Sequence, residues 1–270
     1  MQGRLSPQVE GIIQAFPWAH WQSEFPVAKA LGMGLMEWTL DQDRLYENPL
    51  MTEAGRREIQ KLIERHGLAV PSLTGDCFMQ APFWKRAIER DALLKDLRAI
   101  IHAASDVGVR SILIPLVDAG RLGSLSEEED LRAGLASVKR DLAERQMLIT
   151  FESDFPPKKL ASFIDTFDPR HFGLTYDIGN SAALGYEFED ELAAYASRIV
   201  NVHVKDRLLG GTTVPLGTGN AKLPETVAAL ERAGYCGNYI LQTARASNGD
   251  HAGTLSRYKR MLENWLKDAN

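Results

Sequence analysis

The chain has 270 residues, 44% hydrophobic and 25% charged, with a formal net charge of −5 at pH 7. These are ordinary values for a soluble globular protein with a large core, and the excess of acid over base argues against a protein built to grip nucleic-acid phosphates. Two cysteines, Cys77 and Cys236, cannot build a dense disulfide framework, so a reduced, cytoplasmic setting is expected.

The opening MQGRLSPQVEG has no apolar stretch of signal-peptide length, and no run of 18 apolar residues follows it, so neither export nor a membrane span is expected. MQGRL could be the remainder of a first strand. Short apolar runs then recur: MGLMEWTL (33–40), LAVPSLTG (68–75), VRSILIPLV (109–117), LITFES (148–153), FGLTYDIG (172–179), IVNVHVKD (199–206) and NYILQTA (238–244). Their length and their content of Ile, Val, Leu, Thr, Tyr and Phe suit strands buried on both faces, as in parallel sheets.

Between the runs the period is helical. Leu93, Leu97, Ile100, Ile101 and Ala104 form one stripe, and Leu131, Leu135, Val138 and Leu142 another. Ser126 followed by Glu129 reads as a capping box for the second. Pro156 and Pro157 open a helix carrying Leu160, Phe163, Ile164 and Phe167. Pro224 opens one that carries Val227 and Leu230 and ends at Gly234. Leu255, Tyr258, Met261, Leu262 and Trp265 mark the last.

Up to eight strands alternate with eight helical segments, at roughly 34 residues per unit. Alternation implies βαβ units and parallel strands. The expected fold is α/β, a (β/α)8 TIM barrel in a single domain over residues 1–270. A doubly wound open sheet is the alternative, and no G-x-G-x-x-G after the first strand supports it.

In such a barrel the functional residues stand at the carboxyl ends of the strands. Glu37, Asp76, Glu152, Asp177, His203 and Gln242 are read there, and the fourth run ends in Pro115 and Asp118. The last four of the six are spaced 25, 26 and 39 residues apart, about one βα unit each. Two carboxylates, an imidazole and an amide oxygen make a mixed oxygen–nitrogen donor set suited to Mn2+, Mg2+, Co2+ or Zn2+. The competing reading is four polar groups, each satisfied at its own strand end.

The segments TFESD, TYDIGN, NVHVKDR, VPLGTGN and GYCGNYILQTAR resemble the sugar phosphate isomerase/epimerase family, the xylose-isomerase-like TIM barrels. The likeness spans nearly the whole chain and is clearest from Phe151 to Arg245. Family members include ketose 3-epimerases, hydroxypyruvate isomerase, inosose dehydratase and endonuclease IV. The resemblance implies one divalent metal held by a Glu, an Asp, a His and a second Glu. The first three fall on Glu152, Asp177 and His203; the second Glu falls on Gln242, a departure. In the family's epimerases two glutamates work on opposite faces of the substrate carbon. A glutamine can offer metal an oxygen but cannot accept that proton. Glu152 remains as a base, and a 1,2-aldose–ketose isomerisation through an enediol needs only one. Gln242 therefore moves weight from two-base epimerase to one-base isomerase.

Lys205 and Arg207 alternate with Val204 and Asp206, on the side of His203 while the chain stays extended. They could polarise a substrate oxygen or bind phosphate, or form an ion pair with Asp206. Gly219, in PLGTGN (215–220), could turn backbone N–H groups to an anion, or belong to an ordinary tight loop. Arg245 is a second anion candidate. Asn180 could bond a substrate hydroxyl or cap the turn. Glu37 and Asp76 could face the cavity or pair with basic neighbours. Trp18, Trp21, Trp38, Phe78 and Phe83 could wall a sugar, though packing beneath the loops is the favoured reading. Both cysteines read as structural thiols.

Of six histidines only His203 ends a strand, which leaves too few ligands for a multi-zinc nuclease. The function expected is a metal-dependent isomerase or epimerase of a sugar or sugar phosphate, with Glu152 and Lys205 catalytic. A non-catalytic sugar-binding barrel and an inosose dehydratase-like lyase are the alternatives. The expected partner is a small molecule, with neither nucleic acid nor membrane; a homo-oligomer stays open.

Overall fold

A computed structural model describes residues 4–9 and 11–269. The chain forms two compact units, one of Gln14–Ser153 and one of Arg4–Ile13 with Asp154–Asn270.

The first unit runs α1 (Trp21–Ala30), β1 (Leu35–Leu40), α2 (Glu53–His66), β2 (Ala69–Gly75), α3 (Asp76–Gln80), α4 (Arg90–Asp106), β3 (Ser111–Leu116), α5 (Leu125–Ala136), α6 (Lys139–Arg145) and β4 (Leu148–Ser153). Its strands are parallel and pair in chain order, with Glu37 opposite Ser72, Thr74 opposite Leu113 and Pro115 opposite Glu152. Successive side chains alternate between the faces. Trp38, Leu40, Leu73, Ile112, Ile114, Ile149 and Phe151 are buried on one face, while Glu37, Thr39, Ser72, Thr74, Ser111 and Thr150 share the other. The α4 stripe is buried as its period requires: Leu93, Leu97, Ile100, Ile101 and Ala104.

The capping motif of α5 lies two residues before the expected one. Ser124, not Ser126, is the N-cap and accepts the N–H of Glu127, whose carboxylate accepts the N–H of Gly123 at 2.6 Å. The stripe Leu131, Leu135, Val138 and Leu142 is buried but is divided between two helices, α5 and α6, at Ser137–Val138.

The second unit runs α7 (Pro157–Ile164), β5 (Phe172–Asp177), α8 (Ile178–Leu184), α9 (Phe188–Tyr195), β6 (Ile199–Val204), β7 (Asp206–Arg207), β8 (Thr213–Val214), α10 (Leu223–Arg232), β9 (Asn238–Leu241) and α11 (His251–Ala269). Parallel β5, β6 and β9 are neighbours in that order, with Asp177 opposite His203 and His203 opposite Ile240. β7 and β8 form a short antiparallel hairpin directly after β6. α11 buries Leu255, Tyr258 and Leu262, the centre of the expected face.

All seven later apolar runs are strands. Of the expected first strand, residues 1–3 lie outside the described residues, and Arg4 and Leu5 are in a turn. Among the described residues no helix is long and apolar enough to cross a membrane.

Candidate metal centre

Asp177 is both the last residue of β5 and the N-cap of α8, so one carboxylate serves the helix and the site. Its Oδ1 accepts the N–H of Asn180 at 2.8 Å. Its Oδ2 accepts from Lys205 Nζ at 2.6 Å and lies 3.7 Å from His203 Nδ1. The parallel register places Asp177 beside His203. Asp177, His203 and Lys205 are 3%, 0% and 7% exposed. Burial pushes the Asp177 carboxyl up, but the Lys205 ammonium and the His203 ring more than offset it and hold the group well below the usual carboxylate range. Asp177 is therefore an anion at neutral pH.

Gln242 follows β9, and its N–H reaches Val204 O at 3.2 Å, which ties it to the end of β6. It is 3% exposed, and no described residue donates to its Oε1. A buried amide oxygen without a donor is costly, so such an atom calls for a ligand. An ionised aspartate, an imidazole and an unbonded amide oxygen are hard and borderline donors, and they fit a divalent cation. Glu152, one residue before the end of β4, is a carboxylate at the corresponding place in the first unit.

The other expected residues have definite partners. Glu37 lies within β1, not at its end, and accepts from Ser72 Oγ at 2.6 Å and Thr74 Oγ1 at 2.8 Å. Asp76 is buried at the first position of α3. Arg207 donates to Asn180 Oδ1 at 2.8 Å and twice to Gly211 O, so both residues stiffen the β7–β8 turn. Arg245 donates to the carbonyls of Ser6 and Ile13 and fastens the N-terminal segment of its unit.

In the PLGTGN loop the N–H groups of Gly217 and Gly219 are taken up by a carboxylate of the chain itself. Those of Gly217 and Gly219 donate to Asp206 Oδ2 at 2.9 Å each, and that of Ala221 to Oδ1 at 3.1 Å. Asp206, offered by the sequence only as an alternative partner of Lys205 and Arg207, accepts all three of these backbone bonds. Sequence reasoning did not find these partners of Asp206 because they are backbone groups 11 to 15 residues away.

Trp21, Trp38, Phe78 and Phe83 are buried, and Trp38 donates to Asn48 Oδ1 at 3.0 Å, so these rings pack the first unit. Burial raises the Cys77 thiol well above its ordinary value, which leaves it inert.

Parallel βα repeats place the chain in the α/β class. Residues 25–268 match the family model of the xylose isomerase-like TIM barrel, and the chain belongs to that family. It is 28% identical over 260 residues to the L-ribulose-5-phosphate 3-epimerase UlaE of Escherichia coli O1:K1, covering 92% of this chain and 89% of the relative. Among solved structures it is similar to the IOLI protein with a binding zinc atom (TM-score 0.72, 14% identity, 93% and 94% of the two chains). It is also similar to a xylose isomerase-like TIM barrel protein from Mycobacterium smegmatis in complex with magnesium (TM-score 0.69, 15% identity, 96% and 92%).

Proposed function

We propose that the chain is a divalent-metal-dependent isomerase or epimerase of a sugar or sugar phosphate. The observation that carries this reading is the buried Asp177 carboxylate 3.7 Å from His203 Nδ1, while Gln242 Oε1 is buried without a donor. Family membership and the similarity to a ketose-phosphate 3-epimerase point the same way. Relatives of the same fold with zinc or magnesium agree with the donor types.

In the proposed centre Asp177, His203 and Gln242 would hold the cation, with Glu152 the further donor expected from the sequence. Held there, a divalent ion would supply Lewis acidity to the substrate. Glu152 takes the proton from the substrate carbon, exchanges it in part with solvent and delivers a proton to the neighbouring carbon on the same face, while the hydroxyl proton passes to the former carbonyl oxygen. Asp177, fixed by Asn180 N–H, keeps its orientation while charge builds on the substrate. The Lys205 ammonium adds a positive charge beside that position. Gln242 cannot carry a second proton, which favours one-base aldose–ketose isomerisation over two-base epimerisation.

The test is exchange of a substrate C–H proton with deuterated solvent over a panel of ketoses and their phosphates. EDTA is expected to abolish exchange and Mn2+ to restore it. Full exchange after exhaustive metal removal refutes the mechanism. No exchange with any substrate favours a non-catalytic sugar-binding barrel, and release of water identifies a lyase.

A further inference from the structure

Lys205 is built into its place from two sides. Its stem lies against the backbone of Gly179, where a β-carbon would stand 2.7 Å from Lys205 Cγ and 2.9 Å from Cβ. A glycine there lets the lysine pass α8. Asp206, the next residue, is pinned by the N–H groups of Gly217, Gly219 and Ala221. The ammonium so placed donates to Asp177 Oδ2 at 2.6 Å, the same oxygen that lies 3.7 Å from His203 Nδ1. The other oxygen, Oδ1, already accepts the Asn180 N–H. Any cation taken up by Asp177 and His203 therefore meets a carboxylate whose charge is shared with an internal ammonium. Positive charges this close repel, and burial leaves the repulsion poorly screened. Gln242, which contributes no charge, does nothing to offset it.

We infer that Lys205 is an internal counter-cation of Asp177 that weakens the centre's hold on divalent ions and keeps them exchangeable. This rests on the reading of Asp177 and His203 as metal donors and adds the residue that sets their affinity. Lys205 acts on the ion through Asp177 and is, in this respect, a positioning residue. Removing its charge tightens metal binding; an arginine, which retains the charge, does not.

The test is calorimetric titration of the full, EDTA-stripped chain with Mn2+ alone, for wild type, K205Q, K205R and D177N. K205Q is expected to bind Mn2+ about tenfold tighter than wild type or better. K205R should bind as wild type does, and D177N should lose binding. If K205Q binds no tighter while wild type binds and D177N does not, the inference falls and the metal-donor reading stands. If wild type takes up no Mn2+, both fall. Loss of the ammonium leaves Asp177 an uncompensated buried charge, which endangers the metal-free fold of K205Q. Thermal unfolding covers that case, because a tighter ligand raises Tm further. Mn2+ should raise the Tm of K205Q by more than that of wild type, or refold a K205Q chain that is unfolded alone. A K205Q chain that gains no more than wild type, or stays unfolded in saturating Mn2+, overturns the inference.

Discussion

The N–H of Gly219 donates to Asp206 Oδ2 at 2.9 Å, and a β-carbon on Gly219 would collide with the other carboxylate oxygen. The loop is thus folded around an anion supplied by the protein, and the residue after Lys205 is its anchor. Charge-assisted bonds to a buried carboxylate are stronger than neutral ones. Asp206→Ala would orphan three N–H groups and should cost about 2–4 kcal/mol of stability by urea unfolding. Gly219→Ala should be destabilising for a steric reason. Amide exchange at Gly217, Gly219 and Ala221 should quicken in Asp206→Ala; unchanged protection there contradicts the assignment.

Gln242 is where the reaction type is expected to turn. Gln242→Glu adds a carboxylate to the proposed donor set, and cation affinity rises with the charge of the ligands, here by about tenfold or more. The variant should also gain inversion of a carbinol centre with solvent-proton incorporation, read by NMR of the product in D2O. Wild type that inverts the centre as well as the variant does refutes the one-base reading.

A buried carboxylate elsewhere in the second unit gives a pH signature unconnected with the centre. Glu191 accepts from Tyr176, Ser181 and Tyr195, each at 2.7 Å. Burial raises its carboxyl above the ordinary 4.5, and the hydroxyl donors only partly offset this. A carboxyl raised in the folded state binds more protons there than in the unfolded chain. Its contribution is therefore full below the ordinary glutamate value and declines as pH rises through the folded one. Glu191→Gln should flatten that part of the stability–pH curve. Glu191→Ala should cost about 3 kcal/mol or more by stranding the hydroxyls.

The opposite sign is expected at Asp141, which joins α6 to α4. Hydrogen bonds from His102 (2.8 Å) and Arg98 (3.1 Å) lower its carboxyl, the His102 bond most. The stabilisation is present above the ordinary carboxylate range and is lost as pH falls through the lowered value. Asp141→Asn should cost about 0.5–1 kcal/mol at neutral pH, in keeping with a half-exposed pair. The gap to wild type in chemical unfolding should close in acid.

Much of this was legible in the residues. A buried parallel strand announces itself by a short run of branched and aromatic residues, and seven such runs became strands. The stripes of α4 and α11 were legible because a helix repeats its buried positions every 3.6 residues. Ser124 was missed because Ser124–Glu127 and Ser126–Glu129 satisfy the same motif, and only the entry angle of the chain chooses between them. β7 and β8, two residues each, are too short to carry any period. Glu37 was read at a strand end but lies in the strand interior, where the hydroxyls of Ser72 and Thr74, 35 and 37 residues on, make its place tenable.

What the sequence by itself determined is what local chemistry encodes: the alternation of strand and helix, and two acids, an imidazole and an amide at Glu152, Asp177, His203 and Gln242, in or just past four of the apolar runs. Only the tertiary structure decided which charge meets which. Lys205 and Asp206 are adjacent in the chain, yet Lys205 reaches back 28 residues to Asp177, while Asp206 faces forward to the N–H groups of a loop. Adjacent residues of an extended chain point to opposite sides, and side-chain type carries no record of which backbone groups a loop will bring within reach.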